Sequence, residues 1–257
     1  MDFTSTVVGS IAFPFLMTAL GAALVFCFQK SFSAKLNAAF FGLASGIMLA
    51  AAIWSLLLPA LSQIETEWGS LAFAPIATSI VLGAGFIYAL DKLLLSLQAA
   101  RAYGEKKAMK LFVAMTVHNI PEGLATGFAF GAAFSMGTPA ALVSAIGIVL
   151  GLGIQNIPEG AAVALPMYTV HKNKKRAFLY GVLSGAVEPI FAVLGFFLAA
   201  QASLLQPWLL AFSAGTMLFV VAEDLLPDSK TAESGAIGAW CAIVGFVFMM
   251  ILDVALG

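Results

Sequence analysis

AMTVHNIPEGLATG (residues 114–127) places a histidine, an asparagine and a glutamate inside apolar sequence, and its central hexapeptide recurs as QNIPEG at residues 155–160. Each copy carries an ionisable carboxylate beside further nitrogen and oxygen donors. A charged side chain at the centre of a bilayer costs from about 3 to about 15 kcal/mol, depending on its surroundings. Two copies of one such motif indicate a shared site, and donors of these types suit a metal ion.

The composition of the chain is that of an integral membrane protein. Of its 257 residues, 61% are apolar and 10% are charged, and the mean hydropathy is +1.02. Soluble domains carry about 25% charged residues, so a soluble globule is excluded and no nucleic-acid partner is expected. Cys27 and Cys241 lie in apolar runs and form no C-x-x-C pair, so neither a disulfide framework nor a thiolate zinc site is expected.

Eight apolar segments are long enough to cross the ~30 Å hydrocarbon core as helices. We interpret the first as a retained transmembrane helix and not as a signal peptide, because Asp2 is the only charge before it. The runs do not alternate as barrel strands do. The sequence therefore predicts an all-α membrane protein, an eight-helix bundle forming a single transmembrane domain over residues 1–257. The predicted spans lie near residues 7–28, 36–61, 72–97, 108–134, 138–169, 177–200, 206–227 and 235–256.

The orientation of the bundle follows from the basic residues. All 12 lysines and arginines fall in or beside alternate connections. Cytoplasmic loops retain positive residues, so these connections are predicted to be inside and both termini outside. The basic residues are Lys30 and Lys35 in the first connection, Lys92, Arg101, Lys106, Lys107 and Lys110 around the third, Lys172, Lys174, Lys175 and Arg176 around the fifth, and Lys230 in the seventh.

Three glutamates are predicted to meet at one depth. Glu122 and Glu188 each lie 12 residues past the nearest preceding basic residue, which places both about 18 Å from the inner end of their spans. Glu159 lies 13 residues before the next basic residue and reaches nearly the same depth from the opposite direction. Three carboxylates without an intramembrane lysine or arginine repel one another, and either a bound cation or protonation relieves this repulsion.

Helical spacing surrounds each glutamate of the repeat with two donors. They precede the glutamate by four and three residues, and residues at these spacings share a helix face. This geometry could serve two adjacent metal ions bridged by glutamates. Imidazole with carboxylate suits zinc and other first-row divalent ions, whereas magnesium prefers oxygen and water. The donors are His118 and Asn119 before Glu122, and Gln155 and Asn156 before Glu159.

Pro121 and Pro158 are expected to expose backbone carbonyls within the fourth and fifth spans, and the long fifth span, which also carries Pro166, is expected to be kinked or tilted. A proline removes its own N–H and displaces the carbonyl four residues earlier, here those of Val117 and Ile154. Unwound backbone at membrane depth is tolerated where it lines a cavity enclosed by protein. Broken helices of this kind commonly form the binding sites of transporters.

Several other polar residues have two interpretations. The motif asparagines could bind metal or could join helices through hydrogen bonds. Glu223 and Asp224 fall near the inner end of the seventh span. They could form a metal exit site there or belong to a solvated helix end. Asp253 is interpreted as an interfacial residue and His171 as a loop residue.

These features resemble the ZIP (Zrt/Irt-like) family of divalent metal transporters. The two motifs in the fourth and fifth spans carry the resemblance, and QNIPEG together with SLLLPA at residues 55–60 is similar to the GufA-like bacterial branch. The resemblance covers essentially the whole chain. It implies a binuclear centre midway across the membrane, with ligands from His118, Asn119, Glu122, Gln155, Asn156, Glu159 and Glu188.

The resemblance also implies an architecture and a cargo. The first three spans and the last three would form an inverted repeat around the fourth and fifth, and an elevator-like motion and a homodimer are implied as well. The cargo would be zinc, and also cadmium, iron or manganese, carried through the bacterial inner membrane without a prosthetic group. Two features depart from the family: residues 99–108 contain no histidine, and Gln155 stands where many members have histidine.

The sequence thus predicts a transporter and not an enzyme. Metal is expected to enter from outside past the second, fourth and fifth spans, bind the carboxylate cluster, and leave past Glu223 and Asp224. An intramembrane zinc metalloenzyme is one alternative, although the His-Glu-x-x-His signature is absent. A metal-sensing membrane protein is the other, and it would bind the ion without moving it.

Overall fold

A computed structural model of the protein describes residues 3–27, 33–97, 103–230 and 233–256. Nearly all of these residues are helical, and no strand occurs within them. Each predicted span falls on one helix or on a run of consecutive helices, which confirms the all-helical fold class. The α-helices are α1 (Phe3–Ala23), α2 (Ala34–Ala51), α3 (Leu58–Trp68), α4 (Phe73–Leu97), α5 (Tyr103–Met136), α6 (Pro139–His171), α7 (Lys174–Gly185), α8 (Val187–Ala202), α9 (Gln206–Val220), α10 (Leu226–Asp228) and α11 (Ile237–Leu256).

Seven helical runs in the described ranges are long and apolar enough to cross a membrane. They range from the 19-residue run Ile237–Ala255 to the 38-residue run Ala34–Leu71, and they make the protein an integral membrane protein. α5 is 34 residues long, but His118, Asn119 and Glu122 lower its apolarity. It packs against α6, α8 and α9, so its polar residues lie against protein and not against lipid.

Two spans contain a π-helical turn just before a proline. Ala52–Leu57 forms one such turn ahead of Pro59, and Val221–Leu225 forms the other ahead of Pro227. In each turn a backbone N–H bonds to the carbonyl five residues earlier. The wider turn makes room for a proline ring, which in a regular α-helix would clash with the carbonyl four residues before it.

The backbone does not unwind at Pro121 or Pro158. α5 and α6 continue through both prolines as α-helices. Proline adopts a helical φ, so it costs a helix one hydrogen bond and a local clash, and the helices packed around α5 and α6 hold both in place. The sixth span is interrupted instead, at Ala186 between α7 and α8, three residues before Pro189.

The helices pack in two groups. The first helix group consists of α1, α5, α6, α7 and α8, in which α1 packs on α6 and α5 packs on α8. The second helix group consists of α2, α3, α4, α9, α10 and α11, in which α2 packs on α11 and α4 packs on α9. Both hexapeptides and Glu188 belong to the first helix group.

Glycines bring the helices of the first helix group into backbone contact at the repeated motif. A Cβ atom on Gly123 would collide with the backbone of Glu188 in α8, and one on Gly160 would collide with the backbone of Thr18 in α1. Small residues allow such close approach of helices inside membranes. The last residue of each hexapeptide therefore brings a neighbouring helix next to the glutamate that precedes it.

Candidate metal centre

The seven predicted donors come together in one buried cluster between α5, α6 and α8. None of these side chains is more than 2% exposed. The structure thus brings together the three glutamates that were predicted to share one depth, and it places the histidine and the amides of both motifs beside them. We refer to this set as the donor cluster: His118, Asn119 and Glu122 of α5, Gln155, Asn156 and Glu159 of α6, and Glu188 of α8.

His118, Glu122 and Glu159 form the most compact part of the donor cluster. One ligand atom from each lies within 4.8 Å of the others. His118 Nε2 is 3.0 Å from Glu122 Oε1 and 3.8 Å from Glu159 Oε1. Ligands bound about 2 Å from a tetrahedral metal ion lie roughly 3 Å from each other, so these three atoms can share one ion after small side-chain rotations.

The motif amides hold two of the glutamates from the other helices. Gln155 Nε2 in α6 donates a hydrogen bond to Glu122 Oε1 in α5. Asn156 Nδ2 in α6 donates to Glu188 Oε1 in α8 at 2.8 Å. Each amide uses its nitrogen as a donor, which leaves its carbonyl oxygen as a further acceptor. The second motif thus crosslinks the three helices that supply the carboxylates.

Unpaired acceptors fill the donor cluster. Asn119 Nδ2 donates to the carbonyl of Ser184 at 2.9 Å, yet its oxygen has no hydrogen-bond partner among the described residues. A buried polar atom without a partner costs about 1–3 kcal/mol, and oxygens that only accept cannot satisfy one another. A cation can satisfy them together. The atoms in this state are His118 Nε2, Asn119 Oδ1, Glu122 Oε2, Gln155 Oε1, Asn156 Oδ1, both oxygens of Glu159, and Glu188 Oε2.

The donor cluster carries three carboxylates without a compensating base. Within the described ranges, no lysine or arginine forms an ion pair with Glu122, Glu159 or Glu188. Two unit charges at the 4.8 Å limit between ligand atoms repel by roughly 3 kcal/mol at an effective dielectric constant of about 20. A divalent cation between them replaces this repulsion with attraction.

Two threonines in contact with the donor cluster were missed by the sequence analysis. Thr216 Oγ1 in α9 lies 2.9 Å from His118 Nδ1, and Thr18 Oγ1 in α1 lies 3.4 Å from Glu188 Oε1. Both threonines are fully buried. Hydroxyl residues are common in the apolar spans, and only contact across a helix interface distinguishes these two.

Glu223 and Asp224 do not join the donor cluster. They lie in the π-helical turn Val221–Leu225, where Asp224 forms an ion pair with Lys110 at 3.0 Å and the side chain of Glu223 is 59% exposed. Lys110 lies 12 residues before Glu122 in α5, or about 18 Å along the helix. Their role as metal ligands stays a prediction for a separate site at the lysine-rich end of the bundle.

Two further polar residues have protein partners away from the donor cluster. Asp253, interpreted from the sequence as interfacial, accepts a hydrogen bond from Ser55 at 2.8 Å. His171 ends α6 and stacks on Tyr180, with ring centroids 5.8 Å apart. Both side chains thus interact with residues outside the donor cluster.

Cavities approach the donor cluster from both ends of the bundle. One cavity, at the lysine-rich end, is lined in part by Lys107, Thr169 and Asp224. Another, near the opposite end of α6, is lined in part by Ser55 and Ser144. No residue of the donor cluster lines either cavity, so the donors lie between two openings and are closed off from both.

Comparison with known proteins gives consistent matches. Residues 100–253 match the family model described as ZIP Zinc transporter. The chain is 34% identical to the human zinc transporter ZIP11, over 94% of each chain. It is 32% identical to the zinc transporter GufA of Myxococcus xanthus, over 93% of this chain and 94% of that protein. It is 33% identical to the zinc transporter ZIPB of Bordetella bronchiseptica, over 95% of this chain and 79% of that protein.

Proposed function

Since the chain belongs to the ZIP zinc transporter family, we propose that it carries divalent transition-metal ions, with zinc as its first cargo, across the membrane into the cytoplasm. The observation that supports this most strongly is the donor cluster, in which three uncompensated carboxylates and unpaired acceptors are buried. Such a site is costly in a bilayer unless it takes up a cation. Cadmium, iron and manganese are further candidates, because they accept the same donors.

The donors divide naturally into two metal positions. His118, Glu122 and Glu159 have ligand atoms close enough for one ion. Asn119, Asn156 and Glu188 supply free oxygens for a second, and the second oxygens of the glutamates could bridge the pair. The centre would then be binuclear, and its amide and carboxylate ligands would bind zinc less tightly than a site rich in imidazole or thiolate. Moderate affinity allows release after each transfer.

The two cavities suggest the route of the ion. The cavity that contains Ser144 would admit metal from outside, and the lysine-rich cavity would release it past Glu223 and Asp224. This orientation agrees with the positions of the lysines, which favour the cytoplasmic side. In a bacterium the membrane would be the inner membrane, and both termini would be outside.

An inverted repeat and a homodimer complete the proposal. Within each helix group, two pairs of packed helices correspond to each other. In the first group α1 packs on α6 as α8 packs on α5, and in the second α2 packs on α11 as α9 packs on α4. The π-helical turns also occur in the corresponding second and seventh spans. These equivalences support an inverted repeat of spans 1–3 and 6–8 within one transmembrane domain. The homodimer rests on the family resemblance.

The comparisons favour a transporter over the alternatives. The relatives are named as zinc transporters, and none of those names describes an enzyme. A metalloenzyme would use zinc to activate water and would turn over a substrate. A sensor would bind zinc without flux, so a flux assay separates it from a transporter.

Uptake into liposomes tests the proposal. The protein is reconstituted with a zinc-sensitive dye inside the vesicles, and the Glu122→Ala/Glu159→Ala variant is compared with the wild type. We expect uptake to fall at least about tenfold, because removing two carboxylates removes most of the charge that holds the ion. Glu65→Ala/Glu67→Ala removes two exposed carboxylates instead and should retain uptake. Full uptake by the first variant would refute the site assignment.

A further inference from the structure

One hydrogen-bond chain leads out of the donor cluster into the second helix group. His118 Nδ1 lies 2.9 Å from Thr216 Oγ1, and Thr216 Oγ1 donates to the carbonyl of Ser213 at 2.7 Å. His118 and Thr216 are both fully buried. Among the described residues, the other side-chain hydrogen bonds of the donor cluster stay within the first helix group.

The hydrogen-bond geometry at Thr216 favours one arrangement of protons. A threonine hydroxyl has one proton to donate, and Thr216 Oγ1 lies 2.7 Å from the Ser213 carbonyl in donor geometry. A hydroxyl that donates to this carbonyl accepts from His118, and Nδ1 then carries a ring proton. A neutral imidazole with a proton on Nδ1 has its lone pair on Nε2.

Nε2 is the ring atom that faces the carboxylates. It lies 3.0 Å from Glu122 Oε1 and has no hydrogen-bond partner among the described residues. A lone pair on Nε2 is the form that a metal ion requires, and a cation bound there would also relieve the repulsion between that lone pair and the carboxylate.

We propose that Thr216 is a positioning residue, which holds His118 in the tautomer that presents the Nε2 lone pair to the metal. The inference rests on the proposed function, since it assumes that His118 binds the transported ion. Partners of this kind fix the orientation and tautomer of metal-ligating histidines, and their loss typically costs 10–100-fold in metal affinity.

The difference between the two motifs fits this role. Ala214-Gly215-Thr216-Met217 in α9 is similar to Ser45-Gly46-Ile47-Met48 in α2, which belongs to the span that corresponds to α9. Ile47 replaces the threonine, and the second motif begins with Gln155, whose amide has no tautomer to select. The hydroxyl thus lies on the helix that contacts the imidazole of His118, whereas the corresponding position of α2 carries an apolar side chain.

Nitrogen NMR on metal-free protein tests the tautomer directly. The chain contains two histidines, so histidine-specific 15N labelling in nanodiscs at about pH 8, where imidazole is neutral, gives two sets of signals. His171→Gln assigns the remaining set to His118. We expect a protonated Nδ1 and an unprotonated Nε2 in the wild type. A protonated Nε2 in the wild type would overturn the proposal.

Variants at Thr216 test whether its hydroxyl sets the tautomer of His118. Thr216→Val keeps the volume and removes the acceptor, so we expect the Nε2–H tautomer to gain population and zinc affinity to fall 10–100-fold. Thr216→Ser should restore both properties. Thr116→Val is the matched control, because Thr116 also donates to its own helix, at 2.7 Å to Phe112, and should change neither.

The two readouts keep this inference distinct from the proposed function. A wild-type protein with the expected tautomer but no zinc uptake would count against transport alone. An unchanged tautomer and unchanged zinc affinity in Thr216→Val would overturn the role of Thr216 while leaving transport intact. If Thr216→Val does not fold, the wild-type tautomer still decides whether Nε2 is available to a metal ion.

Discussion

Lys110 of α5 lies 3.0 Å from Asp224 of the π-helical turn, so a cation of the first helix group is held by a carboxylate of the second. Asp91 of α4 lies 2.6 Å from the same ammonium group. Lys107, nearly one turn earlier in α5, forms a further ion pair with Asp228. Two lysines therefore tie the helix groups together at the lysine-rich end of the bundle.

Removing the Lys110 charge should destabilise the protein. Lys110, Asp91 and Asp224 have side chains at most 15% exposed, and removing one member of a buried ion pair costs about 3–5 kcal/mol. We expect Lys110→Met to lower the midpoint of thermal unfolding in a fixed detergent, followed by tryptophan fluorescence. Adding Asp91→Asn and Asp224→Asn should recover most of the loss. Lys175→Met, at an exposed site, is the control, and equal midpoints for Lys110→Met and Lys175→Met would contradict the prediction.

Introducing a second imidazole should change ion preference. Gln155 donates to Glu122 and offers the metal only an amide oxygen, whereas imidazole is a stronger ligand for zinc. We expect Gln155→His to raise the preference for zinc over manganese several-fold in competition uptake assays, and to slow release of zinc. Gln63→His places the same group in the cavity that contains Ser144 and should leave the preference unchanged. If both variants show the wild-type preference, Gln155 is not a ligand.

Alanine at two glycines should change stability in opposite directions. A Cβ on Gly160 would collide with the backbone of Thr18, whereas a Cβ on Gly85 meets nothing within 4 Å. We expect Gly160→Ala to destabilise by about 1–3 kcal/mol, because rigid backbone cannot move aside. Gly85→Ala should stabilise by about 0.5–1 kcal/mol, because alanine loses less conformational freedom in a helix than glycine. Unfolding in detergent measures both, and a loss of stability of equal size in the two variants would show that close packing is not the cause.

Cysteine labelling tests the proposed orientation. Ser144 and Thr169 lie near opposite ends of α6, are both exposed, and line different cavities. In a chain with Cys27 and Cys241 replaced by serine, a membrane-impermeant thiol reagent added to intact cells should label Ser144→Cys. Thr169→Cys should react only after the cells are permeabilised. The reverse pattern would place the lysine-rich end outside.

The bundle and the level of the donor cluster could be predicted from the sequence. The length of an apolar segment is enough to locate a transmembrane helix, because backbone N–H and C=O groups inside a bilayer must form hydrogen bonds with each other. The depth of Glu122, Glu159 and Glu188 followed from counting residues from the nearest lysine or arginine at a fixed rise per residue. Both arguments use distances along one helix, which the sequence contains.

Contacts across helices could not be predicted in the same way. Nothing near Thr216 in the sequence indicates His118 as its partner, since 98 residues separate them. Unwound backbone was expected at Pro121, but local rules do not include the helices that support α5 there. The π-helical turn ahead of Pro227 was missed for the same reason, because a proline can be accommodated by a wider turn or by a break, and tertiary packing decides which.

Helices of very different length share one membrane in this protein. α1 has 21 residues and packs on α6, which has 33, while α11 has 20 and packs on a run of 38 that begins with α2. The short partners measure about 30 Å, which matches the hydrocarbon core, and the long ones measure about 50 Å or more. In a bilayer of this thickness the long helices tilt or extend into the headgroups, and a thicker bilayer would have to thin around the short ones. A change in acyl-chain length therefore strains α1 and α11 before it reaches their partners, and the lipid composition of the host membrane sets how each unequal pair is aligned.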